Sequence, residues 1–365
     1  MFYATVVSET LLYFFFSILM GYFILQIRPI HQRPDISMPP AFLYLAIAAL
    51  PILSFFPILR LVLLLSEQIG FSSTLGSVLK TFEIGQAWLL TALLTLLLLM
   101  FTFIAVKQNR TKLFYIALIC MVFLVLAVGW SSHASSLSFW KGFVGHTFHF
   151  LTVIIWTGIL LNVAFFSKNP TNWAVFLKWF TPLAVGCVIA LSISGFVIMD
   201  TIVPYEQYTD IWLVSYGQTL LFKHLFFIPV LLFAVMNGIL AKKAAREGEG
   251  FKPLPWLKAE GLLLLIIFAL TGLLGQQSPP HDLETALRTE GASPIFSAIY
   301  NGAISTDMTV KLDGNALSLT FGIMAVVFAC LMMVFFLKRA SAAAAFLFSL
   351  LLVVACYMSL MYSVQ

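Results

Sequence analysis

Apolar residues run along this chain in long blocks, and polar residues collect in the gaps between them. A helix that crosses a bilayer needs about 20 mostly apolar residues. Ten blocks meet that length approximately: 5–26, 40–64, 84–106, 112–130, 140–166, 177–199, 217–240, 257–275, 316–337 and 342–362. The pattern predicts an all-α integral membrane protein, a bundle of about ten transmembrane helices with a small external loop segment. The first block holds Glu9 and has no early Lys or Arg, so it lacks the basic start of a signal peptide and is expected to stay as a helix.

Composition agrees. The chain is 61% hydrophobic and 10% charged, where a soluble domain carries roughly 25% charged residues. The formal net charge of +5 does not point to nucleic acid, because the basic residues sit in short gaps between spans, where they report topology. Arg28 and Arg33 follow the first block, and Lys107, Arg110 and Lys112 the third. Lys168 and Lys178 bracket the turn after the fifth. Lys242, Lys243, Arg246, Lys252 and Lys258 follow the seventh, and Lys338 and Arg339 divide the last two. The alternate gaps differ: SSHASSLSF at 131–139 has no Lys or Arg, and 200–216 holds Asp200, Glu206 and Asp210. Basic gaps belong in the cytoplasm, so both termini are expected to be extracytoplasmic.

Two gaps are long enough to fold. In 276–315, TDMTVKLDG alternates polar and apolar residues and ends on an Asp313-Gly314 turn signal, so a hairpin, a short helix or an unstructured connector are all open. The spaced apolar residues of 66–82 suit an interfacial helix.

Ionisable groups inside spans are costly and therefore candidates for function. His133 closes the fourth block. His146 and His149, three residues apart, share one helix face about 10 and 14 Å along from Trp140. His224 enters the seventh block about 10 Å from Gly217. All four fall in the outer half of the expected bundle, whereas His31 lies in a basic gap and His281 in the long outer one. Imidazole binds copper, zinc, iron and nickel, so His133, His146 and His149 are candidate ligands, with His224 weakened by the Lys223 charge beside it. The alternative for each is a hydrogen bond to a neighbouring helix. Met199, next to Asp200, offers a soft thioether suited to Cu(I), although Met also packs cores. Cys120, Cys187, Cys330 and Cys356 lie in apolar blocks with no paired spacing and read as small buried hydrophobes, Cys120 or Cys356 as a soft ligand being the lesser reading. Arg60 is expected to pair with Glu9 or Glu83, and Glu260 reads as structural.

A set of short motifs occurs in order: SHA at 132–134, HTFHFLTVIIWTGIL at 146–160, SG at 194–195, SYGQTLLFKH at 215–224, Asn237, Glu260, and LTG then SPP at 270–280. Together they resemble the CopD family of bacterial copper resistance and copper transport membrane proteins, over roughly 150 residues. The resemblance marks His133, His146, His149, Trp156, Gly158, Tyr216, Gly217, Lys223, Asn237 and Glu260. Ser132 stands where the family carries glycine, Asn237 lacks the following basic residue, and no CopC-like soluble domain is fused at either end. The resemblance implies a division into an N-terminal three-helix region at 1–110, a five-helix core at 111–280, an extracytoplasmic segment at 281–315 and a two-helix region at 316–365. It implies copper transport across the bacterial cytoplasmic membrane, and the residues themselves supply His133, His146, His149, His224 and Met199 as the ligands expected for copper as Cu(I) or Cu(II). Ligands gathered outside favour import. The partners expected are copper, the lipid bilayer and a separate extracytoplasmic copper-binding protein. No nucleotide-binding loop, nucleophile–His–Asp spacing or HExxH occurs, so an enzyme is not expected. The alternative is a two-haem cytochrome b type of redox protein, with His149 and His224 as axial ligands.

Overall fold

The computed structural model describes residues 1–169, 171–240, 252–280, 282–300 and 302–365. Lys242, Lys243, Arg246 and His281 lie outside them. Among the described residues ten helices are long and apolar enough to cross a membrane, and they coincide with the ten apolar blocks. No strand forms among the described residues beyond two isolated bridges. The chain is an all-α, multi-pass membrane protein. It forms two compact units, Met1–Thr201 and Ile202–Gln365.

The first unit holds α1 (Phe2–Ile27), α2 (Pro40–Ser54), α3 (Phe56–Ile69), α4 (Phe71–Thr81), α5 (Glu83–Lys107), α6 (Leu113–Trp130), α7 (His133–Leu137), α8 (Phe139–Phe166) and α9 (Trp173–Ile202). The second apolar block is thus two helices broken at Phe55. Pro57 causes the break: it has no N–H to give Leu53 and its ring crowds that carbonyl. The 66–82 gap does contain a helix, α4, whose Val78 packs on Ile58 and Val62 of α3. Arg60 lays its guanidinium over the Phe2 ring at 5.5 Å.

The centre of this unit is the crossing of α1 and α8. Lipid provides no hydrophobic drive between helices, so association depends on close packing and interhelical hydrogen bonds. Small residues meet here. A Cβ on Gly21 would fall 2.0 Å from the Gly158 carbonyl carbon, and one on Gly158 would fall 2.1 Å from Ser17 O. Asn162 Nδ2 donates to Ile18 O (2.9 Å) and to Gly158 O (2.8 Å), and Thr157 Oγ1 lies 3.0 Å from Ser17 Oγ. Phe16, Phe23, Leu124, Phe150 and Ile154 fill the space around the crossing.

The second unit holds α10 (Ser215–Val235), a π-helical turn (Met236–Leu240), α11 (Pro253–Leu274), α12 (Leu283–Glu290), α13 (Pro294–Ile299), α14 (Ala316–Leu337) and α15 (Ala342–Met361). α10 packs on α11 and α15, and α14 pairs with α15. The 276–315 segment folds as a cap. Leu287, Phe296 and Val310 share a core with Ile211, Trp212, Leu213, Tyr357 and Met361. Ser293 N donates to Leu213 O at 2.7 Å, and Val310 N to Asp210 Oδ1 at 2.7 Å. The alternating TDMTVKLDG stretch makes no hairpin of its own. Lys311 and Asp313 pair instead with Gln365 and Ser363. Asn315, just after the Asp-Gly turn signal, is the N-cap of α14, with Ser318 completing a reciprocal capping box.

Candidate metal centre

α8 carries two of the sequence-predicted ligands, and α7 and α9 flank them. Ser132 caps α7 by accepting from Ser135 N at 3.3 Å. This starts a short helix with His133 as its first residue and leaves the His133 side chain exposed. The Ala134 carbonyl abuts Gly142 of α8, so His133 is level with the first turns of α8. His146 and His149 follow about 6 and 10 Å further along that helix, both half-buried. The His146 ring lies 6.3 Å from Phe150, centroid to centroid.

α9 runs antiparallel to this part of α8. Lys141 Nζ bonds Asp200 Oδ2 at 2.7 Å, Gly145 faces Val197 and Ile198, and His149 Nδ1 lies 3.0 Å from Ser194 Oγ. Ser194 Oγ is also 2.7 Å from Ala190 O, one turn back in its own helix. A hydroxyl has one hydrogen, and Ala190 takes it. The hydrogen between His149 and Ser194 therefore comes from the imidazole, and Nε2 keeps the basic lone pair; this tautomer is assigned from the hydrogen-bond network. Gly195, beside Ser194, lies against the same ring. The SG pair of the sequence thus orients His149, a role that Ser194 shows only once α8 and α9 are placed.

Met199 is half-buried on α9, about level with Gly142 in this register. Its neighbour Asp200 is engaged by Lys141. Among the described residues no group of three or more His, Cys, Asp or Glu side chains is arranged to hold an ion.

His224 belongs to the second unit. Its side chain is exposed and its Nδ1 lies 2.7 Å from Tyr208 Oη. Burial pushes the Tyr208 phenol up to about 12, so it stays protonated and has a hydrogen to give. Nothing in the sequence singled out Tyr208. The neighbouring YGQ motif is a packing device. A Cβ on Gly217 would fall 1.9 Å from Ile211 O. Gln218 donates to Trp212 O at 2.7 Å and accepts from Tyr357 Oη at 2.7 Å. Asn237 and Glu260, the remaining polar marks of the resemblance, bond each other at 2.8 Å in the buried contact of α10 and α11.

Comparison with known proteins agrees with this architecture. Residues 174–274 match the family Copper resistance protein D, CopD. That stretch includes Ser194, Gly195, Met199, Tyr216, Gly217, His224, Asn237 and Glu260, while His133, His146 and His149 precede it. The chain is also similar to the copper transport protein CutJ of Bacillus subtilis (strain 168), 27% identical over 210 residues. The matched region is 54% of this chain and 37% of that relative, so the chain spans well under half of the relative's length. No solved structure matches. The chain is thus a multi-pass membrane protein whose residues 174–274 are similar to the CopD family.

Proposed function

We propose that the protein moves copper across the cytoplasmic membrane, inward, and that His133, His146 and His149 capture the ion at the outer face. The family and the relative's name support copper handling in general. The observation that carries the histidine assignment is His149: Ser194 holds its Nδ1 at 3.0 Å and gives its own hydrogen to Ala190, which leaves the basic lone pair on Nε2. A ring nitrogen fixed by an outer hydrogen bond is how metal-binding histidines are oriented. His146 shares that helix face one turn closer to the end, and exposed His133 stands above both. The order gives an entering ion successive imidazoles, with the Met199 thioether alongside as a soft ligand for Cu(I). His224, in the second unit, has its Nδ1 occupied by Tyr208 and keeps Nε2 as its only ring nitrogen for an ion. The basic gaps at 107–112 and 338–339 support a cytoplasmic placement for those ends, and with it extracytoplasmic termini.

The test is copper binding and uptake by the full chain. Purified protein is expected to retain copper through desalting, and H146A/H149A to lose it while keeping the wild-type elution profile. In proteoliposomes the wild type accumulates copper and the double variant does not. Equal binding by the double variant would sink the assignment of these ligands. A haem absorption band in the purified protein would favour the redox alternative.

A further inference from the structure

The second unit holds a buried polar contact of its own. Glu260, 1% exposed, sits in α11, and Asn237, 5% exposed, sits in the π-helical turn that ends α10. π-helical turns are rare and often mark a functional position. Asn237 uses both amide hydrogens, one to Glu260 Oε2 at 2.8 Å and one to Trp256 O at 3.3 Å. That fixes the amide orientation, since the reverse would set Oδ1 against the Trp256 carbonyl. Among the described residues two buried acceptors then have no donor, Glu260 Oε1 and Asn237 Oδ1.

Charges do not resolve this. Among the described residues no cation reaches Glu260 within ion-pair distance. α10 brings Lys223 and His224, about 20 Å back along the helix from Asn237. The π-turn brings no titratable group, α15 brings Cys356 and Tyr357, and α14 brings Cys330. Lys258 on α11 is exposed, and Lys338 and Arg339 follow α14. An ionised carboxylate has only acceptors and would leave Oε1 and Asn237 Oδ1 without a donor, a state that burial penalises and that charge makes worse. A protonated carboxyl has one donor. With Oε2 accepting from Nδ2, a hydrogen on Oε1 that reached Oδ1 would satisfy both of these acceptors and close a two-bond ring of acid and amide.

We propose that Glu260 and Asn237 form a proton-binding site inside the membrane, and that its proton is exchanged with water during transport. On release the Oε1–H bond breaks, the proton passes to a water molecule, and the carboxylate keeps the electron pair. Asn237 Oδ1 then loses its donor, and the α10–α11 contact loosens at the π-turn. The negative charge left behind offsets that of a cation in transit. Only the coupling to an ion rests on the copper-transport reading; the proton site stands on the acceptor count.

Three measurements separate these. In wild-type protein, infrared difference spectra between acid and alkaline buffer are expected to contain a buried carboxylic-acid C=O band that E260Q lacks; identical spectra overturn the proposal. E260Q keeps an amide–amide ring in place of the acid–amide ring and is expected to fold. Should it not, a hydrophobic carbodiimide on the wild type answers the same question, because the acid O–H adds across its C=N bond. Label on Glu260 that declines as pH rises supports the site, and absence of label overturns it. In proteoliposomes, copper flux by the wild type is expected to respond to an imposed pH gradient, and flux by E260Q to lose that response. A response retained in E260Q overturns the coupling. A wild type that moves no copper refutes the transport reading and leaves the infrared and labelling results to decide the proton site.

Discussion

On one side α8 meets α1 backbone to backbone, through Gly21, Gly158 and the Asn162 amide. On the other it reaches α9 through side chains, by the Lys141–Asp200 pair and the His149–Ser194 bond. The first contact has no slack. A glycine-to-glycine crossing admits neither a larger residue nor a shifted register, and Asn162 Nδ2 and Thr157 Oγ1 each reach across it to α1. The second contact is held by a few long or polar groups around Gly145, and the candidate ligand His149 lies on it. One helix thus has a fixed side that sets its place and an adjustable side that carries chemistry. The contrast explains why the W-T-G motif at 156–158 is structural while the H-T-F-H motif at 146–149 is the better functional candidate.

The contrast can be broken from its rigid side first. Gly158→Val places a Cβ at 2.1 Å from Ser17 O and is expected to cost about 3 kcal/mol or more. It should appear as loss of the monodisperse peak in detergent size-exclusion chromatography. A variant as stable as wild type would mean that α1 and α8 do not cross this closely. On the adjustable side, Ser194→Ala removes only the group that orients His149. Copper affinity is expected to fall about tenfold or more with little change in melting temperature, as read by titration and by differential scanning fluorimetry. The reverse outcome, a stability loss with unchanged affinity, would make the His149–Ser194 bond a plain helix fastener. Asn162→Ala tests the polar part of the rigid crossing. It should lower stability by about 1 kcal/mol and leave copper binding unchanged. Smallest of all is Lys141→Ala. Both partners of its ion pair are about half exposed, so a change within roughly 0.5 kcal/mol is expected, and added salt should erase it.

Much of this architecture was legible in the sequence because a span asks only for apolar length. The ten blocks and the ten helices agree on that ground. The break at Phe55 was hidden, since hydropathy does not register that Pro57 has no N–H. The alternation at 306–314 suggested a hairpin and was misleading, because the residues that pair with Lys311 and Asp313 come from 363–365, a long-range match that local pattern cannot contain. For the site, the spacing of His146 and His149 was enough to place them on one face. Ser194 and Tyr208 were not readable as imidazole partners, since helical periodicity gives the face of a residue but not which residue of another helix stands opposite. The exposure of His133 follows from the Ser132 cap, which turns the chain out of α6 into a separate short helix. Asn237 and Glu260 were marked one at a time; that they form one contact depends on the π-turn.

The pairing of residues 311–313 with 363–365 also has a consequence for how the protein is made. Asp210 must wait a hundred residues for the Val310 amide that it binds, and Asp313 a further fifty or so for Gln365. Contacts at such separations form late, because the intervening chain must first be ordered. While a ribosome is still producing α14 and α15, the segment between α11 and α14 has its short helices but not its closing partners. The cap is therefore the part of the second unit that is finished last, after the helices on which it rests are already in the bilayer.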